Sequence, residues 1–208
     1  MLVLSNNCCA GYLYNHLQQQ YNNPFIWCRV SYDDMLYIIE NFKDINWKDY
    51  EFEKAQLCPN TYNIKIGDIR IHYPHYIFDP NAETPIKDKN FDKSKYDFWM
   101  GDVRYCRIWK LIDEKYNTRT NRMLTSSEQP CFIIRDDERF VDNHPRSKKT
   151  TIQDIINSKS SYKRIVITSN RNLIGNENCK IIYVRNVAEH PDIHIKEHLT
   201  EIRNFFGI

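Results

Sequence analysis

The sequence predicts an α/β fold, a single domain over residues 1–208 in which a mixed, mostly parallel sheet is flanked by helices, with a β-hairpin in the first half. Three observations lead there. Short apolar runs of strand length at residues 2–4, 131–134, 164–168 and 180–184 alternate with stretches whose apolar residues recur at helical spacing. Residues 62–73 alternate apolar and polar on both sides of a Gly67-Asp68 step, the pattern of two strands joined by a two-residue turn. The chain has 208 residues, enough for one good core, and it contains no internal repeat and no linker-like segment.

Taken in order, residues 2–4 read as a short buried strand that Ser5-Asn6-Asn7 ends. Helical spacing follows, with Leu13 and Leu17 one turn apart, and Asn6 or Asn7 as its N-cap. Asn22-Asn23-Pro24 closes a loop, and Phe25, Ile26 and Trp27 form an apolar segment. Ser31 with Asp34 three residues on predicts a capped second helix that buries Met35, Ile38, Ile39 and Phe42. After the hairpin, residues 79–95 are polar and weakly patterned. A long helix is predicted over about 96–116 on the stripe Tyr105, Ile108, Trp109, Ile112 and Tyr116, followed by a basic connector over 117–122. The strand at 131–134 runs into a charged loop at 135–139. Thr151 with Asp154 caps a short helix, two further strands follow, and an amphipathic helix on Ile195, Leu199, Ile202 and Phe206 closes the chain.

Composition narrows the function classes. Lys and Arg number 29 against 27 Asp and Glu, a net charge of +2, so no overall field draws the protein to nucleic acid or a membrane. No apolar run reaches the roughly 20 residues that a bilayer span needs, and the N-terminus lacks the charged-then-apolar pattern of a signal peptide. The seven cysteines are an odd number without a CxxC pair, which fits reduced thiols in a cytoplasm better than a disulfide framework.

The chemistry-bearing residues fall into three sets. Cys8 and Cys9 sit in the first turn of the first predicted helix, where unpaired amides and the helix dipole favour a thiolate. A cysteine nucleophile needs a base and a group to orient it. His72 and His75 at the end of the hairpin, with Asp79 or Asp136, are the candidates, and helix-start amides would stabilise the oxyanion. The competing reading is that both cysteines are small core residues. The second set, His190, His194 and His198 with Asp192 between, has the spacing of a helical metal pair. Pro191 starts the helix and no HExxH is present, so no metal is assigned. The third set is basic: Arg146, Lys148, Lys149, Lys163, Arg164 and Arg171 could hold a phosphorylated donor or form a solvated face. There is no glycine-rich phosphate cradle, and the Ser169-Asn170 step is a second candidate for an anion-binding turn.

The segment Ser5-Asn6-Asn7-Cys8, with Gly11, Tyr14 and Asn23-Pro24-Phe25-Ile26, resembles an uncharacterised bacterial family (domain of unknown function 1919) often found among exopolysaccharide-biosynthesis genes. Residues 68–76 are similar to that family's second block, with its histidine-aromatic-x-histidine-tyrosine pattern. A related family (domain of unknown function 1796) carries the label of papain-like cysteine peptidase and has its cysteine at the same strand-to-helix position. Capsule-synthesis proteins of similar design have been regarded as acyltransferases that use coenzyme A. The resemblance covers roughly residues 1–80. It matches Cys8 to the cysteine and His72 and His75 to the histidine block, while the doubled Cys8-Cys9 departs from the usual cysteine-aromatic step.

The expectation is therefore a cytoplasmic enzyme that performs cysteine-dependent acyl transfer or hydrolysis on a surface-polysaccharide precursor. Cys8 attacks, His75 or His72 takes the proton, and Asp79 or Asp136 orients the histidine. One competing function is a glycosyl- or phosphoryl-type transferase in which Arg146, Lys148, Lys149 and Arg171 hold a nucleotide-linked donor. The other is a non-catalytic assembly protein. The cofactor candidates are coenzyme A and a nucleotide sugar, and the partner is a small molecule or glycan rather than nucleic acid.

Overall fold

A computed structural model of the chain describes residues 1–54, 62–73, 103–137 and 150–208. Four strands form a parallel sheet: β1 (Val3–Ser5), β5 (Cys131–Arg135), β6 (Arg164–Thr168) and β7 (Cys179–Tyr183), side by side in that order. A second, antiparallel sheet is made by β2 (Glu51–Lys54), β3 (Tyr62–Ile66) and β4 (Ile69–Tyr73). The α/β fold, the mostly parallel sheet and the hairpin at 62–73 are as the sequence predicts. Gly67 turns the hairpin at φ +56°, a backbone region that favours glycine.

Side-chain alternation along the parallel strands supplies two cores. Val3, Ile133, Ile165, Ile167 and Ile182 face α1 (Cys9–His16), α5 (Pro191–Glu197) and α6 (Leu199–Phe206). Leu2, Leu4, Phe132, Ile134 and Val166 face the other way, toward α2 (Tyr32–Asn41), α3 (Val103–Thr125) and α4 (Ile152–Ile156). Ile64, Ile66, Ile69 and Ile71 of the antiparallel sheet join this second core, so the two sheets pack against common residues. Ser31 Oγ accepts the Asp34 N–H at 3.1 Å at the start of α2, and Thr151 and Asp154 form a reciprocal capping box on α4. Among the described residues no helix is long and apolar enough to cross a membrane.

Three elements differ from expectation. The predicted connector over 117–122 is helical and belongs to α3, because its polar residues turn inward: Arg119 and Thr120 are buried, and Arg122 donates to Tyr21 O at 2.9 Å. The expected start of that helix, 96–102, lies outside the described residues. Strand β2 is not predicted, since Glu51, Glu53 and Lys54 leave it almost no apolar signal. The last helix is two, broken at His198, although Ile195, Ile202 and Phe206 still bury one face together.

Candidate active site

The carboxyl ends of the parallel strands gather at one edge, where α/β folds place their sites. There the side chains of the first loop build the corner from β1 into α1. Ser5 Oγ accepts the Ala10 N–H at 3.0 Å and donates to Asn7 O. Asn7 Oδ1 accepts the Cys9 N–H at 2.9 Å. Asn6 turns to β5 instead, where its Oδ1 accepts the Arg135 N–H at 2.9 Å and its Nδ2 donates to Arg135 O at 3.0 Å. That carboxamide continues the strand pairing one residue beyond β1. With both asparagines engaged in this way, the N-cap of α1 is Cys8 rather than Asn6 or Asn7. The same bonds occupy the Cys9 and Ala10 amides. These two helix-start donors are therefore not open to an oxyanion.

Cys8 and Cys9 have opposite surroundings. Cys9 is fully buried, and burial pushes its thiol up to about 12. Cys8 is half-buried at the rim. Burial raises its thiol above 9.0, opposed by the Arg29 and Arg135 charges. A helix-start position therefore does not produce a low-pKa thiol here: desolvation is the larger effect. Cys28, nearby in the core, is raised well above 9.0 by burial. Of the adjacent pair, Cys8 is the residue that keeps part of its surface exposed.

The two arginines reach the site in different ways. Arg29 is exposed, on a segment threaded between the sheets: Val30 N–H donates to Asn6 O at 2.9 Å, while Arg29 and His72 exchange both backbone bonds at 2.7 and 2.8 Å. Those bridges put His72 two strand spacings from Asn6, on the order of 10 Å between backbones. Arg135 is buried; its Nε donates to Val187 O at 2.9 Å, its Nη2 to Glu189 O, and it lies 3.6 Å from Asp137 Oδ2. The role of both arginines was not legible in the sequence, since neither stands near Cys8 in the chain.

Asp136, at the end of β5, accepts from Tyr32 OH at 3.1 Å and from Thr168 Oγ1 at 2.6 Å. Both carboxylate oxygens are thus used to tie α2 to the ends of β5 and β6. His75, Asp79, Arg146, Lys148 and Lys149 lie outside the described residues. Arg171 is exposed in the turn after β6. Arg164 does not belong with a donor-binding set: its buried guanidinium donates to the carbonyls of Ser158, Ser160 and Tyr162. Lys163 is likewise held, on Phe205 O at 2.8 Å. The Ser169-Asn170 turn is closed to anions at two amides, with Asn170 N–H on Thr168 Oγ1 and Asn172 N–H on Asn170 Oδ1. The C-terminal histidines are engaged separately, His190 with Tyr12, His194 with Asn186 O and His198 with Glu201. Among the described residues no three potential ligands converge on a metal position.

Comparison with known proteins places the similarity on this part of the chain. Residues 1–93 match the model of a family described as Domain of unknown function (DUF1919), which takes in Cys8, Arg29 and His72. An uncharacterized protein of Haemophilus influenzae is 29% identical over 77 residues, 36% of this chain and 36% of that protein. The chain thus spans little more than a third of the length of the curated relative it matches.

Proposed function

We propose that the protein is a cysteine-dependent acyl transferase or hydrolase that acts on a surface-polysaccharide precursor in the cytoplasm. The observation that carries the proposal is the position of Cys8, a partly exposed thiol at the carboxyl edge of a parallel sheet, capping a helix and opposed by two arginine charges. The glycan substrate rests on the resemblance of residues 5–26 and 68–76 to a family found among exopolysaccharide genes.

Because burial raises the Cys8 thiol, little thiolate is stored at neutral pH and the attack needs a base. In this mechanism His72 or His75 accepts the thiol proton as the sulfur–carbon bond to the acyl carbon forms. The tetrahedral oxyanion then collapses, and the leaving group departs with that proton. Water or an acceptor hydroxyl next attacks the thioester and restores the thiol. Arg29 and Arg135 favour the anionic sulfur throughout.

The test is covalent trapping with short acyl-coenzyme A thioesters. An acyl mass gain on Cys8 that survives Cys9→Ala and disappears in Cys8→Ala is expected. A Cys8→Ala variant that retains full turnover contradicts the proposal.

A further inference from the structure

We infer that the loop over residues 186–190 is an acid-released strap across the carboxyl edge of the parallel sheet, with His194 as the group that senses pH. The inference stands apart from the reading of Cys8 as nucleophile.

The strap is fixed from three elements. It follows β7, the outermost strand, and its Val187 and Glu189 carbonyls accept from the guanidinium of Arg135 at the end of β5, so it passes over the end of β6 between them. At its far end His190 Nε2 lies 3.2 Å from Tyr12 Oη of α1. At its near end Asn186 O accepts from His194 Nε2 of α5 at 3.2 Å. A carbonyl only accepts, so this bond puts the imidazole proton on Nε2 and leaves Nδ1 as a lone pair. His194 is 1% exposed, and its Nδ1 is buried without a hydrogen-bond partner. The neutral ring tolerates that position. An imidazolium there would bury a charge and an N–H with nothing to accept it.

The surrounding charges do not offset this cost. Arg135, from β5, carries the same sign. Glu189 Oε2 is 3.8 Å from Nε2, but its carboxylate is 44% exposed and water screens it. Glu197, on α5 itself, is exposed. The charged groups that α1 and α6 bring to α5 are paired elsewhere, His16 with Asp192 at 2.7 Å and Glu201 with Lys180 at 3.0 Å. Burial holds His194 below its ordinary 6.5 and the Arg135 charge adds to this, against the Asn186 bond and the two glutamates. A base lowered in this way stabilises the closed form above pH 6.5, and that stabilisation is lost as pH falls. His194 takes up its proton once the strap lifts and bares Nδ1, and acid then holds the strap open. Lifting also removes the carbonyl partners of Arg135, one of the two charges that oppose the burial of the Cys8 thiol.

The test is hydrogen–deuterium exchange of the full chain, read on peptides across 184–191 from about pH 7.5 to 5.5 and corrected for the intrinsic pH dependence of amide exchange. Opening of the strap should rise up to about 10-fold over this range, the limit for uptake of one proton, while β5 and β6 keep their protection. His194→Gln retains a side-chain N–H for Asn186 O and cannot titrate, so its exchange should stay flat. His190→Gln should respond as the unmodified protein does. The ring-proton NMR shift of His194 needs no variant to fold, and it should change with the same midpoint as the exchange. The inference is overturned by a flat response, by the same response in His194→Gln, or by one lost in His190→Gln. A separate NMR midpoint, or β5 and β6 opening together with the strap, overturns it equally.

Discussion

Two neighbouring thiols with different fates set the chemistry at the residue scale. Successive residues at a helix start point about 100° apart, so Cys9 enters the core beside Leu13 while Cys8 stays at the rim. Burial gives Cys9 a folded-state value of about 12 against an ordinary 9.0. A group raised on folding contributes stability that is fully present below its unfolded pKa and lost as pH climbs toward the folded one. The protein should therefore lose stability above about pH 9. Cys9→Ala should flatten that loss by about 2 kcal/mol at pH 10.5, as read from urea unfolding at a series of pH values. A pH slope identical in the variant would contradict the assignment. Which cysteine is buried could not be read from the doubled Cys8-Cys9 step, because the side chains of Asn6 and Asn7 decide where the helix begins.

At the scale of elements, the loop before Cys28 is matched to α1 by a close approach. Trp27 adopts φ +62° and lays its ring on Gly11, where an added Cβ would sit 2.8 Å from Trp27 Cε2. Alanine in a helix interior is worth up to about 1 kcal/mol over glycine. Here the clash dominates, and Gly11→Ala should destabilise by about 1–3 kcal/mol net, measured as a lower denaturant midpoint with an unchanged m-value. A stabilised Gly11→Ala would mean that the ring is free to move. Elements with a clear period or cap were legible, as Met35, Ile38 and Ile39 in α2 and the Thr151–Asp154 box of α4 illustrate. Strand β2 was not, because its charged residues pair along the edge of a sheet whose buried face is supplied mainly by β3 and β4. Nor was the length of α3, whose Arg119 and Arg122 use their long stems and backbone-directed donors where apolar residues would be expected.

The whole molecule does what no local pattern reveals: it brings residues 5–8, 29–32, 72, 135–137 and 168 to one edge. The parallel order β1-β5-β6-β7 makes Asn6 a neighbour of Arg135, and the bridge from Arg29 to His72 ties the antiparallel sheet to the same corner. Residues 1–93 carry the nucleophile candidate and His72, whereas Arg135, Asp136 and Thr168 come from the remainder. The first group was legible as candidates in the sequence, and most of the second was not, because long-range pairing is set by the sheet. The central claim is that this edge holds one reachable, charge-supported thiol. Its most direct test is alkylation of the folded protein by iodoacetamide across pH 6–11, with each cysteine's rate read by peptide mass spectrometry. The account predicts that Cys8 labels with a rate still rising above pH 9, that Arg29→Gln moves this profile to higher pH, and that Cys9 and Cys28 remain inert until the protein unfolds. Cys8 as silent as Cys9 would make it a core residue and contradict the account.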